Sequence, residues 1–386
     1  MSKGASYPRE DRIAVDPVSG RTLRQVTDHP SIHHHPFFFV PAYDRAMSKL
    51  IFVSGRTGAP QIFFEDRSSG DLVQATDRPD LADWSISPSA DGRYVYFTAG
   101  TAAWRVDLGS LEEEQLADFG AVEMREKGLV GAAMGTTALS KSGRWWAVPV
   151  KAGPVTRFVL IDTQQKTSRV FLERDTIGHP QFCPDDEDLI LYAGPLTDRV
   201  WVSDRSGAKN RRLYAREDRM QWVTHEVWVP GRRAVAFVDW PRGTRLIDTD
   251  TGEAGWITRF PAWHAAPSDD GERFVCDTHC PDRGLHIYPV EGPAGGKTAE
   301  PIVLSKATNE GAHWGGPFPY NDGPVGVEAR QHTHPHPRFS PDMSRVVFTS
   351  DRTGHAQIYE VMLEHDPEKR KPVSGPDRAQ EREPDR

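Results

Sequence analysis

Short apolar runs alternate with polar turns along almost the whole chain, and the alternation recurs. The last copy is the clearest: Phe339-Ser340-Pro341-Asp342, then Arg345-Val346-Val347-Phe348-Thr349-Ser350-Asp351, then Gln357-Ile358-Tyr359. The first copy echoes it in Lys49-Leu50-Ile51-Phe52-Val53-Ser54, Gln61-Ile62-Phe63-Phe64, Gly70-Asp71-Leu72 and Gln74-Ala75-Thr76-Asp77. Others open near Ser87-Pro88, Leu139-Ser140, Phe182-Cys183-Pro184, Val229-Pro230 and Ser268-Asp269-Asp270-Gly271. Apolar stretches this short, rich in Val, Ile and Phe and bounded by Gly, Pro and Asp, read as strands. Four such strands in a unit of about 45 residues form a propeller blade. Seven openings predict an all-β, seven-bladed β-propeller.

The N-terminus supports closure of the ring. Ser19-Gly20-Arg21-Thr22-Leu23-Arg24-Gln25-Val26-Thr27-Asp28 has the character of an outer blade strand, yet it precedes the first full blade. The last blade stops near Met362 without that strand. The N-terminal strand is therefore expected to complete blade seven and remove a free sheet edge. A single catalytic propeller is expected over residues 1–365, followed by a charged tail, 366–386, with too little apolar surface to fold.

Histidines give the repeat a chemical direction. The position five residues before the Pro of Ser-Pro-Asp is His336 in the last blade, and the same offset gives His264, His225 and His179 in blades six, five and four. Blade three carries Thr136 there, and the first two carry other residues. Four histidines at one position in successive blades, from only 15 in the chain, are expected to converge on one mouth of the channel. The stretch Gln331-His332-Thr333-His334-Pro335-His336-Pro337 adds a second imidazole two residues from His336 and an amide further upstream. Alternate strand positions share a face, so His334 and His336 are expected to hold one metal, with Gln331 adding an oxygen. Imidazole with carbonyl oxygen suits a divalent ion such as Mn, Fe, Ni or Zn.

Bulk properties narrow the remaining classes. A net charge of −8 disfavours a nucleic-acid partner. No apolar N-terminal h-region and no long apolar run is present, so neither a signal peptide nor a membrane span is expected. Cys183, Cys276 and Cys280 form no disulfide framework, and a cytoplasmic enzyme is the plain reading. Cys276-Asp277-Thr278-His279-Cys280 lacks a second half and reads as structural rather than as a zinc site. His33-His34-His35-Pro36 reads as a packed loop before the first strand, although these rings could line the mouth. His313 lies in a Gly/Pro-rich loop before Gln331 and is a candidate substrate contact, as is His179. Arg199, in Asp198-Arg199-Val200-Trp201, is either a rim salt bridge or a carboxylate clamp.

The chain resembles the oligogalacturonate lyases of pectin breakdown, a cytoplasmic family of seven-bladed propellers. The resemblance rests on Ile177-Gly178-His179-Pro180-Gln181-Phe182-Cys183-Pro184, Asp198-Arg199-Val200-Trp201, Trp222-Val223-Thr224-His225-Glu226-Val227-Trp228 and Gln331-x-x-His334-x-His336. Single blade motifs are shared with TolB-like propellers; the Gln-x-x-His-x-His motif is more specific. The resemblance implies a manganese ion held by His264, Gln331, His334 and His336, proton abstraction by His225, and an arginine at Arg199. It implies an anionic oligosaccharide substrate and cleavage by β-elimination. A lyase for another uronate linkage, a TolB-like binding propeller, or a hydrolase with acidic ligands on calcium are the rivals. The oligomeric state stays open.

Overall fold

The computed structural model describes residues 2–120, 135–278, 282–290, 299–303 and 333–363. Gln331, His313 and the expected tail boundary lie outside them. The described strands form seven antiparallel sheets, the seven blades predicted. A typical blade runs outward from the channel through Gly178–Cys183, Asp186–Ala193, Val200–Asp204 and Arg211–Tyr214.

Local chemistry explains the repeat. The middle strands are covered on both faces by neighbouring blades, so they read as continuous apolar runs rather than alternating ones. Lys49–Ser54 and Arg345–Ser350 are buried at every position after the first. The outer strand Thr167–Arg174 is mostly solvated. The Ser-x-Asp turn that opens three of the units, at Ser89, Ser268 and Ser340, is a side-chain device. Ser340 Oγ donates to Asp342 Oδ1 at 2.6 Å and accepts from the Arg345 N–H at 3.2 Å. Ser89 repeats both bonds with Asp91 and the Tyr94 N–H at 2.6 and 2.8 Å. Apolar clusters fill the gaps between blades, as where Ile51 and Phe64 meet Val95 and Phe97.

The ring closes as expected, and more firmly. Thr22–Gln25 pairs antiparallel with Gln357–Met362, Leu23 opposite Val361 and Gln25 opposite Tyr359. Arg12–Val15 adds a fifth, outermost strand to the same blade. Ser6–Tyr7 pairs with Leu72–Gln74 of the first blade. The N-terminal segment therefore grips both sides of the seam.

An ion-pair network fastens it. Arg24, 8% exposed, donates from Nη1 to Glu360 Oε2 at 2.9 Å and to Glu65 Oε2 at 3.2 Å. Its Nη2 also reaches Glu65 Oε1. Tyr43 O–H and Arg67 Nη1 donate to Glu360 Oε1 at 2.7 and 2.8 Å. Burial alone would raise the Glu360 pKa, but Arg67 and Arg24 hold it below the ordinary carboxylate value. A depressed carboxylate contributes stability above its unfolded pKa, about 4.3, that is lost as pH falls through the folded value. Among the described residues no helix is long and apolar enough to cross a membrane.

Arg24→Ala leaves two buried carboxylates short of a cation, which costs about 3 kcal/mol. Thermal denaturation at pH 7 should show a Tm several degrees lower, and a chain starting at Pro30 should melt lower still or aggregate. An unchanged Tm in both would show that the seam is held elsewhere. The gap between Arg24→Ala and wild type should narrow below about pH 4, where the carboxylates protonate.

Candidate active site

The aligned histidines sit where the inner strands lose register. Pairing of Gly178–Cys183 with its neighbour shifts between Gly178 and Gln181, around His179. Trp222–Val229 shifts between Thr224 and Val227, around His225. Ala262–Pro267 shifts between Ala262 and Ala265, around His264. Such bulges re-aim side chains and cluster near active sites. His179, His225 and His336 also adopt φ values of 48°, 52° and 47°. A left-handed backbone at a non-glycine residue costs about 1 kcal/mol or more and is tolerated where the surroundings enforce it.

The result is a compact imidazole cluster. One ligand nitrogen each of His264, His334 and His336 lies within 4.8 Å of the others. The His225 and His264 rings are 4.3 Å apart, and His179 lies 6.2 Å from His225. The pairing of His334 with His336 is not the work of an extended strand, as the sequence suggested. The last inner strand is only Arg338–Phe339, and the left-handed turn at His336 brings the rings together.

Buried partners fix the rings. Asp277 accepts from the His264 N–H at 2.7 Å and from His264 Nδ1–H at 2.8 Å, which turns His264 Nε2 towards the cluster. The same carboxylate accepts from the His336 N–H at 3.3 Å. His225 Nδ1 donates to the Trp263 carbonyl at 2.5 Å. Burial, reinforced by neighbouring imidazoles, pushes His225, His264 and His336 well below the ordinary histidine pKa. Neutral imidazole is the form that ligates metals and accepts protons. Nε2 of His225 and of His336 is buried with no hydrogen-bond partner among the described residues. Three imidazole nitrogens within 4.8 Å of one another, one of them orphaned and two of them on rings kept neutral by burial, are a donor set that suits a divalent transition metal.

Arg199 is not a rim residue. It is 1% exposed and donates from Nε to Glu226 Oε2 at 3.2 Å and from Nη2 to His179 Nδ1 at 2.9 Å. Its Nη1 is buried without a partner among the described residues. Burial would raise the Glu226 pKa, but the Arg199 guanidinium holds it below the ordinary carboxylate value.

His33-His34-His35-Pro36 is strand in its first half and irregular chain in its second. His33–His34 is the innermost strand of the first blade, paired with Val53 and Ser54. His35 Nε2 donates to the Pro335 carbonyl at 3.1 Å, bracing the His334-to-His336 turn. The chain then crosses the channel. Phe37 lies 4.6 Å from the His336 ring and 5.0 Å from His179; Phe38 lies 5.3 Å from His264 and 5.5 Å from His225. These phenylalanines, with Glu226, Asp277 and Trp263, were not anticipated. Glu226 and Asp277 were detectable as lone acids within otherwise apolar strands. Cys276 is a buried core thiol, pushed well above its ordinary pKa by burial, and Cys280 lies outside the described residues.

Fold and site together define a seven-bladed propeller with a histidine cluster at one mouth of its channel. Residues 146–366 match the oligogalacturonate lyase family model. The chain is 25% identical to an oligogalacturonate lyase of Dickeya dadantii and 26% identical to an oligogalacturonide lyase of Pectobacterium atrosepticum, covering 93% of this chain and 97% of each relative. The fold matches a solved oligogalacturonate lyase in complex with manganese, with TM-score 0.78, 23% identity and coverage of 94% of this chain and 99% of that one. It matches an oligogalacturonate lyase from Vibrio parahaemolyticus with the same TM-score and 20% identity. The chain belongs to the oligogalacturonate lyase family.

Phe38→Ala removes a fully buried ring beneath three imidazoles and should cost about 3 kcal/mol. Chemical denaturation measures this; a loss below about 1 kcal/mol would mean the histidines, not Phe38, fill the channel.

Proposed function

We propose that this protein is a divalent-metal-dependent β-eliminating lyase, acting on short 4-linked uronate oligosaccharides of the oligogalacturonate type. The observation that carries the reading is the convergence of His264, His334 and His336 beside His225, whose Nε2 lone pair has no other use among the described residues. Family membership supports the substrate class, and the manganese in a similar fold supports the ion. One catalytic propeller over residues 1–365, working in the cytoplasm, completes the reading.

The chemistry requires these groups. The proton at C5 of a uronate is very weakly acidic, because its removal places a second negative charge on the carboxylate. When bound, a divalent ion supplies Lewis-acid stabilisation of that charge, worth several kcal/mol. His264, His334 and His336 would hold it, with Gln331 as the fourth ligand. Three imidazoles and a neutral amide leave its charge uncancelled and favour an anionic ligand. Arg199, through its unpaired Nη1, clamps the carboxylate. His225 Nε2 takes the C5 proton, its Nδ1 proton held in place by Trp263. His179, and His313 upstream of Gln331 in the sequence, contact the sugar. The buried phenylalanines keep water from beneath the reacting carbon.

His334→Ala and His336→Ala should each lose manganese by elemental analysis while the fold survives; full metal in both would overturn the ligand assignment. Asp277→Asn should weaken manganese by about 10–100-fold in a calorimetric titration, with unchanged affinity counting against its orienting role. His225→Ala should keep its metal and bind oligogalacturonate, yet lose turnover by about 100-fold or more. Arg199→Ala should raise KM and lower kcat together. Unsaturated product measured across a panel of uronate oligosaccharides with manganese tests the activity, and no product from any of them would end the reading.

A further inference from the structure

His179 and His225 occupy the same repeat position in adjacent blades and stack nearly parallel, with ring centroids 6.2 Å apart and planes at 20°. Their protons are placed oppositely. His225 Nδ1 faces the Trp263 carbonyl, which can only accept, so Nδ1 carries the proton and Nε2 the lone pair. His179 Nδ1 lies 2.9 Å from Nη2 of Arg199, a guanidinium that can only donate. Nδ1 of His179 is therefore the acceptor, and its proton sits on Nε2. Glu226 Oε1 is also near His179 Nδ1, at 3.4 Å, but the Arg199 contact is shorter and its N–H points at the ring. Glu226 Oε2 accepts from Arg199 Nε and fixes the guanidinium in that orientation. A second proton on His179 would have to displace Arg199.

We infer that His179 is the hydrogen-bond donor to the oxygen that leaves C4, the counterpart of the base His225. The inference rests on the β-elimination reading. The C5–H bond breaks and its proton goes to His225 Nε2. The electron pair left on C5 forms the C4–C5 double bond, and the C4–O bond breaks with its pair on the departing oxygen. The Nε2–H of His179 stabilises that oxygen while keeping its own proton. The oxygen then takes a proton from water, and His225 returns the C5 proton to solvent. A neutral imidazole can serve as such an electrophile without being an acid.

The test compares leaving groups. On oligogalacturonate, His179→Ala and His179→Phe should lose about 100-fold in kcat with little change in KM and full manganese content. On a galacturonate bearing 4-nitrophenol at O4, whose anion needs no help to leave, the loss should shrink to a few-fold. Equal losses on the two substrates would overturn the inference, since His179 would then act on the carboxylate or on binding. His179→Phe keeps a ring in place should the alanine variant fail to fold. Independently of turnover, ¹⁵N spectra of the full chain loaded with zinc should show His179 protonated at Nε2 and His225 at Nδ1. A proton on Nδ1 of His179 would overturn the inference. Failure of wild type to eliminate from either substrate, with those tautomers present, would instead remove the lyase reading.

Discussion

Closure of the ring is the constraint on which the site depends. The histidines lie on four separate blades and converge only because the seven inner strands share one axis. The last gap in that circle is bridged by Thr22–Gln25, and at the seam Arg24 is wedged between Glu65 and Glu360. Two buried acids and their cations form a joint that is costly to open, because parting them strands charge in a dry interior. The same residues give the joint its register: Arg24 meets both carboxylates only when Leu23 stands opposite Val361. Geometry at the channel mouth is thus set by contacts on the far side of the first and last blades.

Much of this was legible in the sequence. Strands, turns and closure are local or periodic properties, and each repeat restates them, so errors in one blade are corrected by the others. The histidine offset was legible for the same reason. What the period could not show was how each ring is aimed. The spacing of His334 and His336 suggested an extended strand, whereas the rings meet through a left-handed turn. His33–His34 lacks its blade's usual turn sequence, so its place as an inner strand became visible only through its pairing. The partners that Glu226, Asp277 and Trp263 reach are long-range contacts, which no spacing encodes.

The site separates proton positions by backbone and side-chain partners rather than by charge. Burial makes the rings of His225, His264 and His336 neutral, and neutrality alone would leave their tautomers open. Trp263 settles one, Asp277 settles another, and Arg199 settles the opposite one at His179. Chemically distinct imidazoles can therefore sit within a few ångströms of each other without exchanging roles.

Phe37 and Phe38 lie buried across the channel, while the far mouth opens into a cavity of about 670 Å³ lined by Phe39, Phe182, Trp228 and Arg338. Arg338 donates to the Phe38 carbonyl at 3.3 Å and so ties the crossing segment to that side. Among the described residues, Phe37 and Phe38 stop the tunnel midway and the imidazole cluster lies against that stop. On the lyase reading proposed above, a uronate chain would meet the imidazole cluster at one mouth and leave by the same way rather than thread through the ring. The traffic would be that of a cul-de-sac, in which product left behind stands in the way of the next substrate.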